Sequence, residues 1–579
     1  MKNIPLYEVR KIRSIKEMMD TSVGIYSDRT AFLYKPKRND KYVPVTFKQF
    51  KADVDALGTA LIDLGLKGGR IAIIGENRYE WAVSYMAVVN GTGIVVPLDK
   101  ELPENEIENL LIRSKADAVI FSDNLKNSVL SIANRNDFIK HYITMDDAAE
   151  KNGPDINKQI ELTELKELIE RGRKKVAEGC RDFIDARIDP EAFSILLFTS
   201  ATTDTSKAVM LSHRNIAENL MAMSSMLNIV PDDIFLSVLP LHHTYENTCG
   251  FLCPFYRGAA VAYCEGLRHI TKNLQESKAT VMLGVPLIYE SIYKRIWDQA
   301  AKNPGMLKKL KFGLKLSGFL KKLGIDITRK LFAPIHNVFG GNVRIFISGA
   351  AGIDPEVAKG FRDFGIHFVQ GYGLTECSPI VALNRDVDFK DDAAGLPLPG
   401  IEVRIDGAGS DGIGEIVVKG PNVMMGYYED PENTAEVIRD GWFHTGDLGF
   451  IDSDGFVHIT GRKKNVIVTK NGKNIYPEEI ETLLNKSPYI KECIVFGKDD
   501  PVYGDIVVSA TIVPDMDVIE AEYGGQKPAE DELREIIRRE VKEVNKSLVT
   551  YKYVKDFDIR YEEFEKTTTR KIKRYAKNW

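Results

Sequence analysis

The sequence lacks several features that would decide its class at once. It has no apolar run of about 18 residues or more, so it predicts no helix that crosses a membrane. Its start, MKNIPLYEVRKIRS, has no apolar core, and we expect no secretory signal. The motif Gly-x-x-x-x-Gly-Lys-Ser/Thr occurs nowhere, which removes the main reason to expect a P-loop nucleotidase.

Cysteine and histidine are sparse. Six cysteines are scattered over 579 residues, and Cys249 and Cys253 have no second pair at metal-ligand spacing, which is typical of reduced thiols in a cytoplasmic protein. The nine histidines include no HExxH pair. The net charge of −5 gives no electrostatic reason to expect nucleic acid as a partner. A hydrophobic content of 44% and a charged content of 28% are ordinary for a globular protein, and the length predicts two or more domains.

One stretch is organised for chemistry, Leu196–Asn215, which reads LLFTSATTDTSKAVMLSHRN. An apolar β-type run, Ser194–Phe198, leads into a hydroxyl-rich loop, Thr199–Ser206, and Lys207 closes the loop. Backbone N–H groups, hydroxyl donors and one ammonium can surround phosphate oxygens where no bulky side chain intervenes. The alternative is a plain polar connection between this strand and the amphipathic helical pattern Asn215–Met226.

Apolar runs alternate with amphipathic helical patterns over the first three-quarters of the chain, after an expected N-terminal arm over residues 1–45. The predicted strands are Arg70–Gly75, Gly93–Pro97, Ala116–Ser122, Ile234–Val238, Ala259–Tyr263, Thr280–Gly284, Val343–Ser348 and His367–Tyr372. The predicted helices include Phe47–Leu64, Arg78–Asn90, Glu104–Lys115, Pro286–Ala300 and Asp354–Phe364. This alternation predicts an α/β fold with about two layered, mostly parallel sheets flanked by helices.

The pattern changes after Gly400. Strands at Ile401–Ile405 and Gly414–Lys419 flank GAGSDG, which matches Gly-x-Gly-x-x-Gly. Because a strand and not a helix follows, we interpret this motif as a hairpin turn. A second hairpin-like pair is predicted at Phe456–Thr460 and Asn465–Thr469. We predict a large domain over residues 1–461 that includes a small β subdomain, and a small mobile α+β domain over 462–579.

A basic insert interrupts the α/β alternation. Lys302–Lys330 contains nine Lys/Arg residues and one acid, Asp326, with leucines and phenylalanines between them. A basic amphipathic segment can lie on an anionic membrane surface, so one interpretation is peripheral contact with the inner face of a membrane. The other is a helix pair that packs on the body and exposes a solvated basic face.

Several short stretches offer groups that suit a nucleotide. Ser348–Gly352 follows a strand, and its small residues allow a flat ring to approach the backbone. On the loop after another strand, Tyr372 can stack on a base and Glu376 is a hard oxygen ligand for Mg2+, at the edge where open α/β sheets bind ligands. Asp447, in the run WFHTGDLG, can hold a ribose diol, and Arg462 can act likewise. Taken singly, these are ordinary loop and turn residues.

Together these stretches resemble the adenylate-forming (AMP-binding) superfamily of acyl-CoA synthetases, nonribosomal adenylation domains and luciferases. Thr199–Lys207 is similar to its phosphate loop, and Tyr372–Glu376 is similar to its Tyr-Gly-x-Thr-Glu motif. Thr445–Asp447 and Gly461–Arg462 resemble its ribose and hinge motifs. Asp440–Pro477 follows the longer signature of fatty acyl-CoA synthetases, so the branch that the chain resembles most is bacterial long-chain fatty acid–CoA ligases.

The resemblance implies an ATP-dependent, AMP-forming ligase. A carboxylate attacks the α-phosphorus of ATP to give acyl-AMP and pyrophosphate, and the thiol of CoA then gives acyl-CoA and AMP. ATP, Mg2+ and CoA are the implied cofactor and co-substrates. A fatty acid and CoA are the implied partners, and a homodimer is a further expectation. The small domain is expected to turn about a hinge at Lys464 between the two half-reactions.

The resemblance also implies the site residues. Lys571, in the tail FEKTTTRKIKRY, matches the family's lysine that bridges carboxylate and phosphate; the alternative is one more lysine in a basic tail. Pro240–Glu246, which contains His243, resembles the segment that lines the acyl pocket. The implied catalytic residues are Lys571, Thr199, Glu376, Lys207 and His243. The implied nucleotide-binding residues are Thr199, Ser200, Ala201, Thr202, Thr203, Lys207, Gly349, Ala350, Ala351, Gly371, Tyr372, Gly373, Thr375, Asp447 and Arg462, with Lys464 at the hinge. The implied Mg2+ ligands are Thr199 and Glu376.

The phosphate loop departs from the family pattern. Ala201, Asp204 and Ala208 replace glycines, and Ser206 replaces a proline. Alanine costs roughly 1 kcal/mol or more where a positive φ is needed, so we expect a less mobile loop and slower adenylation. Two other functions stay open at this point. One is transfer of the acyl group to the phosphopantetheine of acyl carrier protein, and the other is a weakly active or non-catalytic acyl-nucleotide binder.

Overall fold

A computed structural model describes residues 5–147, 162–199, 206–469, 473–499, 506–566 and 572–574. These residues divide into two compact units. The first comprises the described residues up to 199, together with 206–402 and 419–441, and the second comprises 403–418 and the described residues from 442 onward. Two stretches that the sequence assigns to the large domain, 403–418 and 442–461, therefore group with the C-terminal residues. The boundary between residues 461 and 462 stays a prediction.

The first unit contains a nine-stranded sheet whose inner strands are parallel. In spatial order the strands are Leu396–Pro397, Ile380–Leu383, His367–Gly373, Ile345–Ser348, Val281–Gly284, Ile234–Ser237, Ala260–Tyr263, Thr30–Tyr34 and Val43–Thr46. The outermost pairings at both edges are antiparallel. In the parallel part, Gly284 lies opposite Ser348, and Ser348 lies opposite Gln370. Because parallel strands end at the same edge, the loops that follow these strands lie close together.

An eight-stranded sheet is the second sheet of this unit. In spatial order its strands are Gly426–Tyr427, Lys207–Ser212, Phe193–Thr199, Ile94–Leu98, Arg70–Ile74, Ala118–Phe121, His141–Thr144 and Leu162–Glu164. Five neighbouring pairs are parallel, and the two pairs that involve Lys207–Ser212 are antiparallel. The prediction of two mostly parallel sheets is thereby confirmed.

Helices flank these sheets, and two of them start with capping boxes. Thr46 and Gln49 cap one helix, and Ser212 and Asn215 cap another, each pair exchanging side chain–backbone hydrogen bonds. The α-helices of the first unit are Ile15–Tyr26, Phe47–Asp63, Tyr79–Ala87, Glu104–Ser114, Lys126–Arg135, Leu165–Ala177, His213–Ser224, Cys253–Arg257, Ile270–Ser277, Pro286–Ala301, Pro304–Lys322, Thr328–Leu331, Ala333–Val338, Pro355–Asp363 and Pro431–Val437. Val88–Thr92 and Tyr245–Leu252 are π-helical. Separate apolar clusters lie against the two sheets, one around Phe121 and Leu196 and one around Phe346.

The expectation of an N-terminal arm over residues 1–45 is wrong for the residues described there. They form the helix Ile15–Tyr26 and the strand Thr30–Tyr34, which pairs in parallel with Ala260–Tyr263. Ile15 and Phe32 are fully buried. The partner strand comes more than 200 residues later in the sequence, so no local pattern indicates the pairing.

The second unit begins with antiparallel strands and continues as an α+β module. Its strands are Glu402–Asp406, Gly414–Lys419, Trp442–Ile451, Val457–Arg462, Ile467–Val468, Asn474–Ile475, Ile490–Asp499, Ile506–Pro514 and Val554–Ile559, and its helices are Pro477–Leu484, Met516–Glu522 and Glu530–Lys546. One apolar cluster, which includes Ile480, Val508 and Ile537, joins the helices Pro477–Leu484 and Glu530–Lys546 to the last three strands. The α/β and α+β classes predicted for the two parts of the chain are confirmed.

One hairpin prediction in this unit is wrong. Val457–Arg462 pairs with Trp442–Ile451, whereas Ile467–Val468 pairs with Asn474–Ile475. Both sets of residues have β-type patterns, but the 3-10 turn Lys463–Asn465 between them does not reverse the chain into a hairpin. In the described ranges, no helix is both long and apolar enough to cross a membrane.

Candidate active site

The described ends of the proposed phosphate loop lie side by side. Phe193–Thr199 runs antiparallel to Lys207–Ser212, with Thr199 opposite Lys207. The hydroxyl of Thr199 donates to the backbone oxygen of Lys207 at 3.4 Å. The loop thus connects two strands, and the helix follows only after the second. Ser200, Ala201, Thr202, Thr203 and Asp204 lie outside the described residues.

Tyr427 brings Lys207 and Glu376 together. The strand Gly426–Tyr427 adds to the edge of Lys207–Ser212. The ammonium nitrogen of Lys207 lies 4.6 Å from the centre of the Tyr427 ring, a cation–π distance. The Tyr427 hydroxyl donates to Oε1 of Glu376 at 3.0 Å. Burial and the nearby Glu376 carboxylate raise the pKa of Tyr427, so its hydroxyl stays a hydrogen-bond donor.

The turn Thr375–Cys377 is held by two buried asparagines. Asn219 donates through Nδ2 to the backbone oxygen of Ile380 at 2.7 Å. Asn422 donates through Nδ2 to the backbone oxygens of Cys377 at 3.0 Å and Ile380 at 3.2 Å. Both asparagines are almost completely buried. Both amides donate to the Ile380 and Cys377 carbonyls, so together they satisfy the buried backbone of the turn that carries Glu376.

The strand His367–Gly373 brings Gly371, Tyr372 and Gly373 to the start of this turn. A Cβ at Gly373 would lie 2.0 Å from the backbone oxygen of Pro379, and a Cβ at Gly371 would lie 3.0 Å from a side-chain carbon of the facing strand. Gly373 is therefore required by close backbone approach, whereas a side chain at Gly371 would crowd a leucine of the facing strand. Tyr372 between them is partly exposed. The hydroxyl of Thr375 lies 3.5 Å from that of Thr244.

The loop after Ser348 is approached by a ring of the protein itself. A Cβ at Gly349 would lie 2.8 Å from Cζ of Tyr245, so the absent side chain makes room for this tyrosine. Ala350 has a φ of 72°, a left-handed conformation that costs an alanine roughly 1–2 kcal/mol. The hydroxyl of Ser348 is buried and finds no hydrogen-bond partner in the part of the chain that the structure describes. Ala351 is exposed. Strain and an unpartnered hydroxyl are features of binding loops.

His243 and Glu246 lie at the start of the π-helical segment Tyr245–Leu252. The backbone N–H of Tyr245 donates to Nδ1 of His243 at 3.3 Å. Glu246 is fully buried, and burial raises the pKa of its carboxyl group to about 8. Its carboxyl group is therefore mostly protonated at neutral pH. The sequence places Glu246 in the segment that resembles the acyl-pocket lining, but no local pattern marks it as a separate functional residue.

Arg113 is a residue that sequence reasoning missed. Its guanidinium donates to the hydroxyl of Ser206 at 2.8 Å and to the backbone oxygen of Ser206 at 2.7 Å. The same guanidinium lies 5.3 Å from the centre of the Phe198 ring. Arg113 thus contacts both strands of the hairpin next to Thr199 and Lys207. No local signal marks it, because it ends a surface helix nearly a hundred residues earlier in the chain.

In the second unit, Asp447 and Arg462 form an ion pair. They lie opposite each other on adjacent strands, and Nε of Arg462 lies 2.7 Å from Oδ1 of Asp447. Asp447 is buried, whereas the side chain of Arg462 is 39% exposed. The backbone N–H of Asp447 donates to the hydroxyl of Thr445 at 3.0 Å. The two residues predicted to hold a ribose therefore lie next to each other on paired strands.

The hinge candidate lies within the described residues, whereas the tail candidate does not. Lys464 lies in the exposed turn that follows Arg462. Lys571 lies outside the described residues, but its neighbours are anchored: Ile572 packs on an apolar cluster, and Arg574 pairs with Glu481 and donates to the backbone oxygen of Val495 at 3.2 Å. The Lys-Ile-x-Arg frame that identifies Lys571 in the sequence therefore contains two residues with structural contacts of their own.

The donor set suits a magnesium ion that binds with a nucleotide. The Thr199 hydroxyl and the Glu376 carboxylate are hard oxygen donors, and a carboxylate that accepts one hydrogen bond keeps further lone pairs. Over the ranges that the structure describes, no group of three or more His, Cys, Asp or Glu residues is placed to hold a metal ion. Mg2+ usually keeps several water ligands and binds through one or two carboxylates together with substrate phosphates, which is the role these two donors fit.

Two family models match the chain. The one described as AMP-binding enzyme matches residues 19–428, and the one described as AMP-binding enzyme C-terminal domain matches residues 464–577. The chain belongs to the AMP-binding enzyme family, which confirms the resemblance found in its motifs.

Known proteins are similar to it over most of their length. Fatty acyl-CoA synthetase A of Dictyostelium discoideum is 28% identical over 571 residues, which cover 95% of this chain and 82% of the relative. Long-chain-fatty-acid–CoA ligase 1 of Homo sapiens is 29% identical over 546 residues, which cover 89% of this chain and 75% of the relative.

Two solved structures share the fold. The structure of the anthranilate CoA ligase AuaEII in complex with anthranoyl-AMP matches with a TM-score of 0.75 at 19% identity. The match covers 99% of this chain and 97% of the AuaEII chain. ATP-bound MatB from Rhodopseudomonas palustris has a TM-score of 0.72 at 23% identity, with 97% of each chain covered. At these identities the likeness establishes the fold.

Proposed function

We propose that the protein is an ATP-dependent fatty acid–CoA ligase that forms AMP. The proposal is supported by family membership and by relatives whose names give fatty acyl-CoA synthesis. The observation that carries it is the contact of one tyrosine with two predicted catalytic residues: Tyr427 lies against the ammonium of Lys207 and donates to the carboxylate of Glu376. A cation and a carboxylate held this close suit a site that binds a phosphate chain together with Mg2+.

The first half-reaction joins the substrate carboxylate to the α-phosphate of ATP and releases pyrophosphate. In the proposed site, Lys207 would bind phosphate oxygens, and the Thr199 hydroxyl and the Glu376 carboxylate would hold Mg2+, which would supply positive charge next to the phosphates. The small residues Gly349 and Ala350 and the ring of Tyr372 bound the space for the base. Ser200, Ala201, Thr202 and Thr203 would complete the phosphate contacts.

The residues of the second unit supply the ribose contacts and the bridging cation. Asp447 and Arg462 form an ion pair across two paired strands, and the 2′ and 3′ hydroxyls of a ribose can bind the carboxylate. We propose that Lys571 joins the carboxylate and the α-phosphate in the first half-reaction. A turn about Lys464 would then remove it before the thiol of CoA attacks.

Pyrophosphate release tests this function. The full chain would be assayed with straight-chain acids from butyrate to stearate, with and without CoA, and beside Lys571→Ala. We expect acid-dependent pyrophosphate release and, with CoA, a thioester and AMP. We expect the variant to lose adenylation while it still converts supplied acyl-AMP and CoA into thioester.

Each failure has its own meaning. Adenylation by Lys571→Ala at the parental rate would remove Lys571 from the mechanism. Thioester formation on acyl carrier protein in place of CoA would change the acceptor. ATP binding without any pyrophosphate release would overturn the enzymatic proposal.

Two partner proposals accompany the ligase. We propose that the chain contacts a membrane peripherally through Lys302–Lys330. Fatty acids with long apolar chains partition into membranes, and this contact would place the protein at the inner face of the membrane. The homodimer stays a prediction, for which size-exclusion chromatography with light scattering is the direct measurement.

A further inference from the structure

The basic insert is built around one long helix, Pro304–Lys322. Asn303 caps it, since its side-chain oxygen accepts from the backbone N–H groups of Gly305 and Met306, and Pro304 occupies the first turn. The helix ends at Leu323, and Gly324 follows with a φ of 78°. The sequence therefore specifies this helix locally at both ends.

One face of the helix packs on the first unit. Gly313 and Ser317, four residues apart, are its buried residues. A Cβ at Gly313 would lie 3.3 Å from the ring of Phe332, so the glycine permits close packing there. The helix contacts Pro286–Ala301 and Pro355–Asp363. This helix therefore packs on the body, as one of the two interpretations of the basic insert expects.

The opposite face exposes large apolar side chains. Phe312 is 66% exposed, Phe319 is 61% exposed, and Leu323 is 62% exposed. Residues seven apart, such as Phe312 and Phe319, lie nearly in line along a helix, and Leu323 follows Phe319 by one turn. Exposed apolar side chains that are scattered singly are normal on a protein surface, whereas a continuous row of them is typical of an interaction site.

A row of lysines runs beside the apolar row. Lys308, Lys315 and Lys322 are also seven apart, and all three are exposed. Residues 302–330 contain nine Lys/Arg residues against one acid, Asp326, whose carboxylate accepts from the backbone N–H of Thr328 at 2.8 Å. The face therefore combines an apolar stripe with an uncompensated positive stripe.

We propose that this face, defined by Lys308, Phe312, Lys315, Phe319 and Lys322, docks on the surface of an anionic lipid bilayer. The lysine row matches the charge of anionic head groups, and phenylalanines can enter the boundary between head groups and acyl chains. A second copy of the chain is a poor occupant, because a two-fold contact through this face would set one basic helix against another. The proposal rests on the peripheral contact proposed above and names its residues and its lipid class.

The docked helix is connected to the active-site strand. Lys321, on the packed side, donates to the backbone oxygen of Arg362 at 3.4 Å, at the end of the helix Pro355–Asp363. That helix leads directly into the strand His367–Gly373, which carries Tyr372. A bilayer bound to the exposed face would hold this part of the first unit next to the pool of membrane-dissolved acid.

Vesicle sedimentation of the full chain tests the proposal. We expect binding to phosphatidylcholine vesicles that contain phosphatidylglycerol, little binding to phosphatidylcholine alone, and release by added salt. The triple variant Lys308→Gln, Lys315→Gln, Lys322→Gln should bind about 100-fold more weakly, from the usual gain per lysine near an anionic surface. The matched control is Lys48→Gln, Lys67→Gln, Lys174→Gln, which removes the same charge from other exposed positions and should lose much less.

Insertion of the aromatic residues is tested separately. Phe312→Trp and Phe319→Trp should each add a tryptophan emission that shifts to the blue and is quenched by brominated lipid when anionic vesicles are added. Equal binding of the triple variant and its control, or vesicle binding without quenching of the new tryptophans, would overturn the proposal. So would a change in oligomeric state of the triple variant without lipid, since that outcome would identify a second copy as the occupant.

The outcome is independent of the ligase reaction. Vesicle binding is measured without ATP, acid or CoA, so a chain that fails to form acyl-CoA can still confirm the docking face. If the ligase is active, the triple variant should match the parent on a water-soluble acid in the absence of vesicles and be slower on a long-chain acid supplied within anionic vesicles.

Discussion

The Tyr427 hydroxyl donates a hydrogen bond to the Glu376 carboxylate at 3.0 Å, while the Tyr427 ring lies against the Lys207 ammonium. The tyrosine thus holds one carboxylate oxygen in place and contacts the lysine through its ring. In the proposed reaction this arrangement orients Glu376 and places Lys207 where phosphate oxygens bind.

Replacing Tyr427 by phenylalanine should therefore lower the rate of adenylation. The hydroxyl is lost but the ring under Lys207 remains, so we expect kcat for pyrophosphate release to fall about tenfold, which corresponds to one hydrogen bond to a charged group. Tyr427→Ala should cost more because the cation–π contact is lost as well. The matched control is Tyr428→Phe, since the Tyr428 ring contacts Phe193 and Arg70. Equal rates for Tyr427→Phe and the parent would contradict the role.

Arg113 should act as a positioning residue for Lys207 through Ser206. Arg113→Ala removes both hydrogen bonds to Ser206, so we expect KM for ATP to rise severalfold and kcat to change less, with Arg113→Lys recovering part of the loss. Arg135→Ala is the control, because Arg135 pairs with Glu104 and Glu108 on the surface. The interpretation fails if Arg113→Ala changes stability but leaves KM for ATP unchanged.

Glu246 should make the free energy of unfolding depend on pH. Burial raises the pKa of the folded-state Glu246 carboxyl group to about 8 from its ordinary value of 4.5, so the folded state binds more protons than the unfolded state between these two pH values. The contribution of the Glu246 carboxyl group to the free energy of unfolding is therefore fully present at low pH, and it is lost as the pH rises toward about 8. Glu246→Gln should be stabilising by on the order of 3 kcal/mol near the upper end of this window and nearly neutral at the lower end.

Denaturant unfolding of Glu246→Gln and the parent at several pH values measures this difference. Glu290→Gln is a useful comparison, because burial raises the pKa of the Glu290 carboxyl group as well. If the difference in the free energy of unfolding between Glu246→Gln and the parent does not grow with pH, the buried carboxyl group is ionised over the whole pH range. That result would contradict the prediction.

The anchor of the tail should matter for Lys571. Arg574→Ala removes the partner of Glu481, a buried carboxyl group whose pKa is raised to about 7 by burial. We expect lower stability of the second unit and a loss of adenylation of about tenfold or more, with thioester formation from supplied acyl-AMP largely retained. Lys573→Ala is the control, since Lys573 is exposed and its hydrogen bond to Glu565 uses only backbone atoms. Equal losses in both half-reactions would contradict a role in placing Lys571.

Much of this protein follows from local sequence. The alternation of apolar runs with amphipathic helices is enough to predict parallel sheets, because strands buried on both faces are mostly apolar, as in Arg70–Ile74 and Ile345–Ser348. The capped start of His213–Ser224 and the turn after Asp406 are likewise local features. The family motifs identified the candidate catalytic residues because each motif is contiguous.

Only the tertiary structure decided how the candidate residues are held. Tyr427 meets Glu376 across 51 positions of sequence, and Arg113 meets Ser206 across 93 positions, so neither contact leaves a periodic or contiguous pattern to read. The same holds for Thr30–Tyr34, whose strand partner is distant, and for the row of Phe312 and Phe319, whose exposure depends on which face of the helix the body covers. Local propensity fixes what an element is, whereas burial and pairing between distant segments fix what it touches.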